Sequence, residues 1–232
     1  MTALSSLESR WEKKEVDFPE VVIPGNPEAS RIYFIDFPGA KQSVIQIGNI
    51  AIPHNNPDYY PAFVVNYKLG GSFNGIVNLI LREEKGFTYG ARTGFSGGSY
   101  TGSFSASSSV RTNATYESVK IFKEEMEKYR QGISQEDIDF TKDALLKSNA
   151  RAFETQASLI GMLSDISQYN LPPDYIKDEE EFVRSLTAEK HNELVKKYID
   201  PSKMYYVVAG DAKTQVPELK KLGLGDPIML EL

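Results

Sequence analysis

The 232 residues suffice for one large domain or two small ones, and 41% hydrophobic with 25% charged residues is the ordinary balance of a soluble globular chain. The formal net charge is −6 and no basic run is present, which excludes the electrostatic footprint of a nucleic-acid binder. There is no cysteine, hence no disulfide and no thiolate zinc site. No stretch approaches the roughly 18 apolar residues needed to span a membrane.

The first segment, 1–30, is polar, carries Pro19, Pro24, Gly25 and Pro27, and reads as a linker or arm from a preceding domain, with helix expected only around Leu7–Lys14. Its start lacks the apolar core of a signal peptide and reads as a cut inside a larger polypeptide, with Met1 added. Residues 31–232 form the domain proper. Arg31–Phe37 (RIYFIDF) alternates as a strand does, and Pro38-Gly39 turns the chain. Gln42–Ile52 alternates again and is expected to pair with the first strand as a hairpin-like unit.

Pro57 and Asp58 open a helix with an apolar face of Tyr60, Phe63, Val64, Tyr67 and Leu69, and Gly70-Gly71 is expected to end it in a left-handed cap. A second helix runs from about Asn74 to Glu84. Thr88–Ser96 and Ser99–Val110 read as antiparallel strands joined at Gly97-Gly98. Helices follow over Thr115–Arg130, Gln135–Phe153 with a Ser134/Asp137 capping box, Thr155–Tyr169, Asp178–Ser185 and Ala188–Tyr198 capped by Thr187. Met204–Ala209 (MYYVVA) is a short apolar strand expected to be central, and Val216–Lys221 closes the chain with a short helix. Hairpin-joined strands with grouped helices predict α+β, a mostly antiparallel sheet with helices on one face.

The chemistry-bearing residues are few. His54 and His191 lie 137 positions apart, and neither has a carboxylate in an H-x-x-E-H relation, so this chain supplies no three-ligand zinc site. His191, between Glu189 and Glu193, reads as part of a solvated helix face, and Glu83-Glu84 and Glu179–Glu181 read as solvated too. No G-x-S-x-G elbow is present. The glycines of Gly70–Gly75 follow a helix rather than a strand, which is the wrong context for a phosphate loop. Leu81–Ala91 (LREEKGFTYGA) stands apart: a basic helix end, a glycine stop, then a strand opening on an aromatic hydroxyl.

Leu69-Gly70-Gly71-Ser72-Phe73-Asn74 followed by Leu81-Arg82-Glu83-Glu84-Lys85-Gly86-Phe87-Thr88-Tyr89-Gly90 closely resembles the LGG-SFNSRL…LREKKG-x-TYG motif of the pitrilysin/insulysin-like zinc metallopeptidases. Asp36–Ser43 resembles that family's D-x-PGA-x-QS turn. Phe153-Glu154-Thr155, Tyr169–Pro172 and Val207–Asp211 match in order, so the resemblance runs from about residue 30 to 213. It implies a pitrilysin or mitochondrial-processing-peptidase-like domain of the inactive, non-zinc type. Such a domain closes over a peptide substrate beside a zinc-bearing H-x-x-E-H domain, in the same polypeptide or a separate subunit.

In that family an arginine and a tyrosine seven positions apart reach the substrate and the zinc region; Arg82 and Tyr89 have that spacing. The resemblance thus implies auxiliary catalytic and substrate-binding roles for Arg82 and Tyr89, and no peptidase activity for the chain alone. It places no cofactor in this chain and zinc in the partner. The family's Ser-Arg-Leu is Gly75-Ile76-Val77 here. The alternative is a proteolytically inactive scaffold, like the core subunits of respiratory complexes. Neither nucleic acid nor a membrane span is expected, and the compartment, periplasmic or cytoplasmic, is left open.

Overall fold

The computed structural model describes residues 5–231 except 13, 18 and 152. In chain order the elements are α1 (Ser5–Glu8), β1 (Arg31–Asp36), β2 (Gln42–Ala51), α2 (Tyr59–Asn66), α3 (Ile76–Asn78), β3 (Thr88–Gly97), β4 (Gly102–Arg111), α4 (Thr115–Tyr129), α5 (Gln135–Arg151), α6 (Gln156–Tyr169), α7 (Tyr175–Ser185), α8 (Ala188–Tyr198), β5 (Tyr205–Gly210), α9 (Ala212–Leu219) and β6 (Ile228–Leu230). The helix expected at Leu7–Lys14 is not formed: α1 is one turn, and the described residues from Trp11 to Asn26 are irregular.

The strands make one sheet in the order β3-β4-β2-β5-β1-β6. The pairs β3–β4, β4–β2 and β2–β5 are antiparallel, whereas β1 runs parallel to both β5 and β6. The fold is α+β with a mixed, mostly antiparallel sheet. The hairpin expected between β1 and β2 is therefore corrected. The short turn at Phe37–Ala40, with Gly39 at φ +76°, does join them, but β5 lies between the two. β5 alternates between half-buried and buried along its whole length, as a central strand should.

Burial alternates along the strands, as a sheet covered on one face requires. Ile32, Phe34, Ile45, Ile47, Phe104, Ala106, Tyr206 and Val208 point into the core and meet Val65, Leu69, Phe122, Met126 and Val195 from the helices. Each large apolar side chain so buried stabilises the fold by ~1.5–3 kcal/mol relative to exposure. On this face α4 packs against β2 and β4, α9 against β1, and α2 against β3. The capping residues act as expected: Thr155, Thr187 and Ser134 accept from the backbone N–H three residues on. By contrast α6 buries none of its side chains, and Ile160 and Leu163 are 63% and 66% exposed.

The other sheet face is open. The register sets Arg92, Ser107, Gln46, Val207 and Tyr33 in one row across β3, β4, β2, β5 and β1. Its polar half carries Ser103, Ser105, Ser107 and Ser109 of β4 beside Gln42 and Gln46 of β2.

Candidate functional site

Arg82 lies in Leu79–Glu84, a segment that continues α3 with widened, π-type turns. Lys85 closes that segment on the carbonyls of Arg82 and Ile80. Gly86, at φ +61°, then takes a left-handed conformation that other residues adopt at a cost, and reverses the chain into β3. The side chain of Arg82 is 35% exposed, 3.3 Å from Oε1 of Glu83. Its guanidinium sits 4.6 Å from the centre of the exposed Phe73 ring, a stacking that fixes its plane.

Tyr89 owes its direction to a bulge. Thr88 is opposite Val110 but Ala91 is opposite Ser108, so β3 carries one extra residue at Tyr89–Gly90. An inserted residue re-aims the side chains around it. The Thr88 hydroxyl holds the bulge: it accepts from the Gly90 N–H at 3.0 Å and from the Ser108 hydroxyl at 3.0 Å, and reaches the Ser109 carbonyl at 2.7 Å. Tyr89, expelled from the alternation, is 94% exposed.

Two buried asparagines fasten the neighbouring segments to the outer edge of β3. Asn78 accepts from the Ala91 N–H at 3.0 Å and donates to the Phe73 carbonyl at 2.7 Å. Asn66 donates to the Thr93 carbonyl at 3.0 Å and accepts from its hydroxyl at 2.6 Å. These amides take backbone groups that an added strand would need, so over Ala91–Thr93 the edge of the sheet is closed to strand addition. Gly70 lets this happen: a Cβ there would lie 2.7 Å from the Thr93 backbone nitrogen. Neither Gly70 nor Gly71 has positive φ, so the left-handed cap expected there is corrected. The helix instead runs on as a π-type turn over Tyr67–Gly71, and close approach requires the glycine.

Arg82, Phe73, Tyr89 and Arg92 line one groove of about 680 Å³, floored by Gln42, Val44 and Gln46 of β2 and the serines of β4. The sequence singled out Arg82 and Tyr89 and passed over Phe73, Thr88 and Arg92. The available signal for Arg92 was its place between Ala91 and Thr93, both buried, which turns it to the open face. Among the described residues no carboxylate lines the groove.

The histidines lie elsewhere. His54 is sandwiched between the rings of Tyr59 and Tyr169, 4.3 and 3.9 Å between centres. His191 corrects the expectation of a solvated face: it is 2% exposed, its Nε2 lies 3.1 Å from the Tyr129 hydroxyl, and that hydroxyl donates to the Val65 carbonyl. Burial lowers its pKa to about 4. Glu179 is likewise only partly solvated, and burial, with Asp165 nearby, raises its carboxyl to about 7. Among the described residues no group of three or more His, Asp or Glu side chains could hold a metal ion.

An α+β layer with a closed strand edge and an open sheet face defines a domain that presents a groove. The sequence matches the family described as "Peptidase M16 inactive domain" over residues 1–145, and the chain belongs to that family. No curated protein matches the chain. Among solved structures it is similar to a peptidase inactive domain of the same family from Pseudomonas fluorescens, with TM-score 0.75 and 28% identity over 84% of this chain and 46% of that one. A protease from Helicobacter pylori shares the fold, with TM-score 0.73 and 15% identity over 86% of this chain and 48% of that one. So does a chain of Complex III2 from Candida albicans, with TM-score 0.65 and 12% identity over 84% and 49%. The chain thus spans about half the length of these relatives. No described helix is long and apolar enough to cross a membrane.

Proposed function

We propose that this chain is the non-catalytic half of a pitrilysin-type zinc peptidase. In that role it closes over a peptide substrate and presents Arg82 and Tyr89 to the zinc site of an H-x-x-E-H partner domain. The observation that carries the reading is the bulge at Tyr89–Gly90: it expels a tyrosine hydroxyl into the groove that Arg82 lines, with no hydrogen-bond partner among the described residues. A hydroxyl so placed can donate to the oxyanion formed when zinc-bound water attacks a peptide carbonyl. Arg82 supplies fixed donors to a substrate carbonyl or carboxylate. The exposed Ile160 and Leu163 of α6 are the kind of surface that a further domain covers.

The test is reconstitution with a zinc-bearing partner domain. Tyr89→Phe lowers turnover about 10²-fold, the typical cost of one oxyanion donor, and leaves folding stability almost unchanged. Arg82→Ala weakens substrate affinity and turnover together. The chain alone holds no stoichiometric zinc by metal analysis and cleaves no peptide. Full activity with both residues replaced overturns the Arg82/Tyr89 role, whereas no peptide cleavage by the reconstituted parent pair favours the second reading, a proteolytically inactive scaffold, to which the shared fold with the Complex III2 chain lends support.

A further inference from the structure

The charge in the groove opposes that of the molecule. The chain carries −6 overall, yet among the described residues the groove is lined by two arginines and no carboxylate. Arg82 has a counter-charge just outside, Glu83 at 3.3 Å. Arg92 has none: its exposed guanidinium makes no ion pair or hydrogen bond with any described residue. Its surroundings are small. On its own strand and face are Gly90 and Gly94, and opposite it on β4 is Ser107, flanked by Ser105 and Ser109. Beyond Ser107 in the same row is the amide of Gln46. Five guanidinium N–H donors thus stand over a low floor of hydroxyl and amide groups, with space above for a ligand that brings the missing anion.

We infer that the groove selects peptides bearing a carboxylate, and that Arg92, backed by Ser107 and Gln46, receives it. This rests on the reading of the groove as a peptide site but not on the Arg82/Tyr89 chemistry. Arg92 acts as a specificity residue, set two residues past the bulge that presents Tyr89. A planar guanidinium can take a carboxylate with two parallel hydrogen bonds, while the neighbouring hydroxyls and the Gln46 amide offer further donors. Closure of the β3 edge by Asn66 and Asn78 leaves side-chain recognition, rather than strand addition, as the way to hold a peptide there.

The experiment is fluorescence anisotropy on the purified chain with two fluorescein-labelled peptides of one Gly-Ser background, one carrying two glutamates and the other two glutamines. The glutamate peptide binds about tenfold more tightly, and raising the salt erodes the difference, as screening of an exposed pair requires. Arg92→Gln abolishes the preference while leaving the circular dichroism and the urea midpoint unchanged, and Arg92→Lys restores it in part. Equal affinity for the two peptides, no binding of either, or a preference that survives Arg92→Gln overturns the inference. Turnover in the reconstituted enzyme reports separately. If Tyr89→Phe and Arg82→Ala leave turnover intact while the glutamate preference depends on Arg92, the catalytic reading fails and the anion site stands.

Discussion

His191 occupies a place in the core where an imidazole has to stay neutral. With its hydroxyl proton given to the Val65 carbonyl, Tyr129 offers only lone pairs to His191, so Nε2 carries the ring hydrogen. A proton added to the other nitrogen would be a charge in the core, and burial pushes the Tyr129 hydroxyl far above its ordinary pKa as well. The folded pKa of His191, about 4, lies below the unfolded value of 6.5. Above pH 6.5 both states are neutral and the residue contributes no pH dependence. Between pH 6.5 and about 4 the unfolded chain takes up a proton that the folded chain refuses, so stability falls, by on the order of 3 kcal/mol in all. Glu179 has the opposite sign: its folded pKa of about 7 is raised from 4.5, so its contribution is complete below 4.5 and lost as pH rises to 7. On acidification across this window the urea midpoint should therefore rise, relative to the parent chain, in His191→Gln, which lacks the acid-induced loss and keeps the opposing contribution of Glu179. An imidazole resonance of His191 titrating near 6.5 would contradict the buried, neutral assignment.

At the scale of elements, the segment Leu69–Gly75 and strand β3 are pressed together with no space between backbones. Gly70→Ala places a methyl 2.7 Å from the Thr93 nitrogen and from Cγ2 of Val77, and backbone cannot yield as a flexible side chain can. A loss of ~1–3 kcal/mol is expected, read from urea denaturation. Gly90→Ala, with nothing within 4 Å of its Cβ, is the matched control and should cost far less. These contacts also mark where the sequence is legible. The helices from Thr115 to Tyr198, their caps at Ser134, Thr155 and Thr187, and the β3–β4 hairpin follow from periodicity and local hydrogen bonding, and they are found within a few residues. The helix boundaries at Gly70-Gly71 are legible, but their cause is not, because close approach is a tertiary fact. The extra residue in β3 is invisible as well: a one-residue slip reverses every side chain beyond it, and only the register opposite β4 reveals it. Thus Arg82 and Tyr89 could be singled out as residues, while the exposure of Tyr89 and the partnership with Phe73 and Arg92 belong to the pairing.

For the molecule as a whole, the misread element was the neighbourhood of β1 and β2. Consecutive strands joined by a tight turn normally pair, and nothing local announces that a strand from the far end of the chain comes between them. β6, three residues long, gave no sequence signal at all. A chain ending after Tyr198 retains every element that supplies the groove, yet it lacks the neighbour that β1 and β2 share. It should fail to give a native near-ultraviolet circular dichroism spectrum and should aggregate, whereas the chain through residue 231 should unfold cooperatively in urea. A native-like spectrum from the shorter chain would show that the central strand is dispensable.

The same placement of β5 sets a timetable for synthesis. β1 and β2 have both been made by residue 51, but the strand that joins them into one sheet begins at residue 205. Until residue 205 has been made each waits with an unpaired edge, and the distance in sequence between the partners makes their closure slow. A nascent chain of this topology cannot lock its sheet until β5 has emerged. During that interval the open edges are exposed to pairing with other chains.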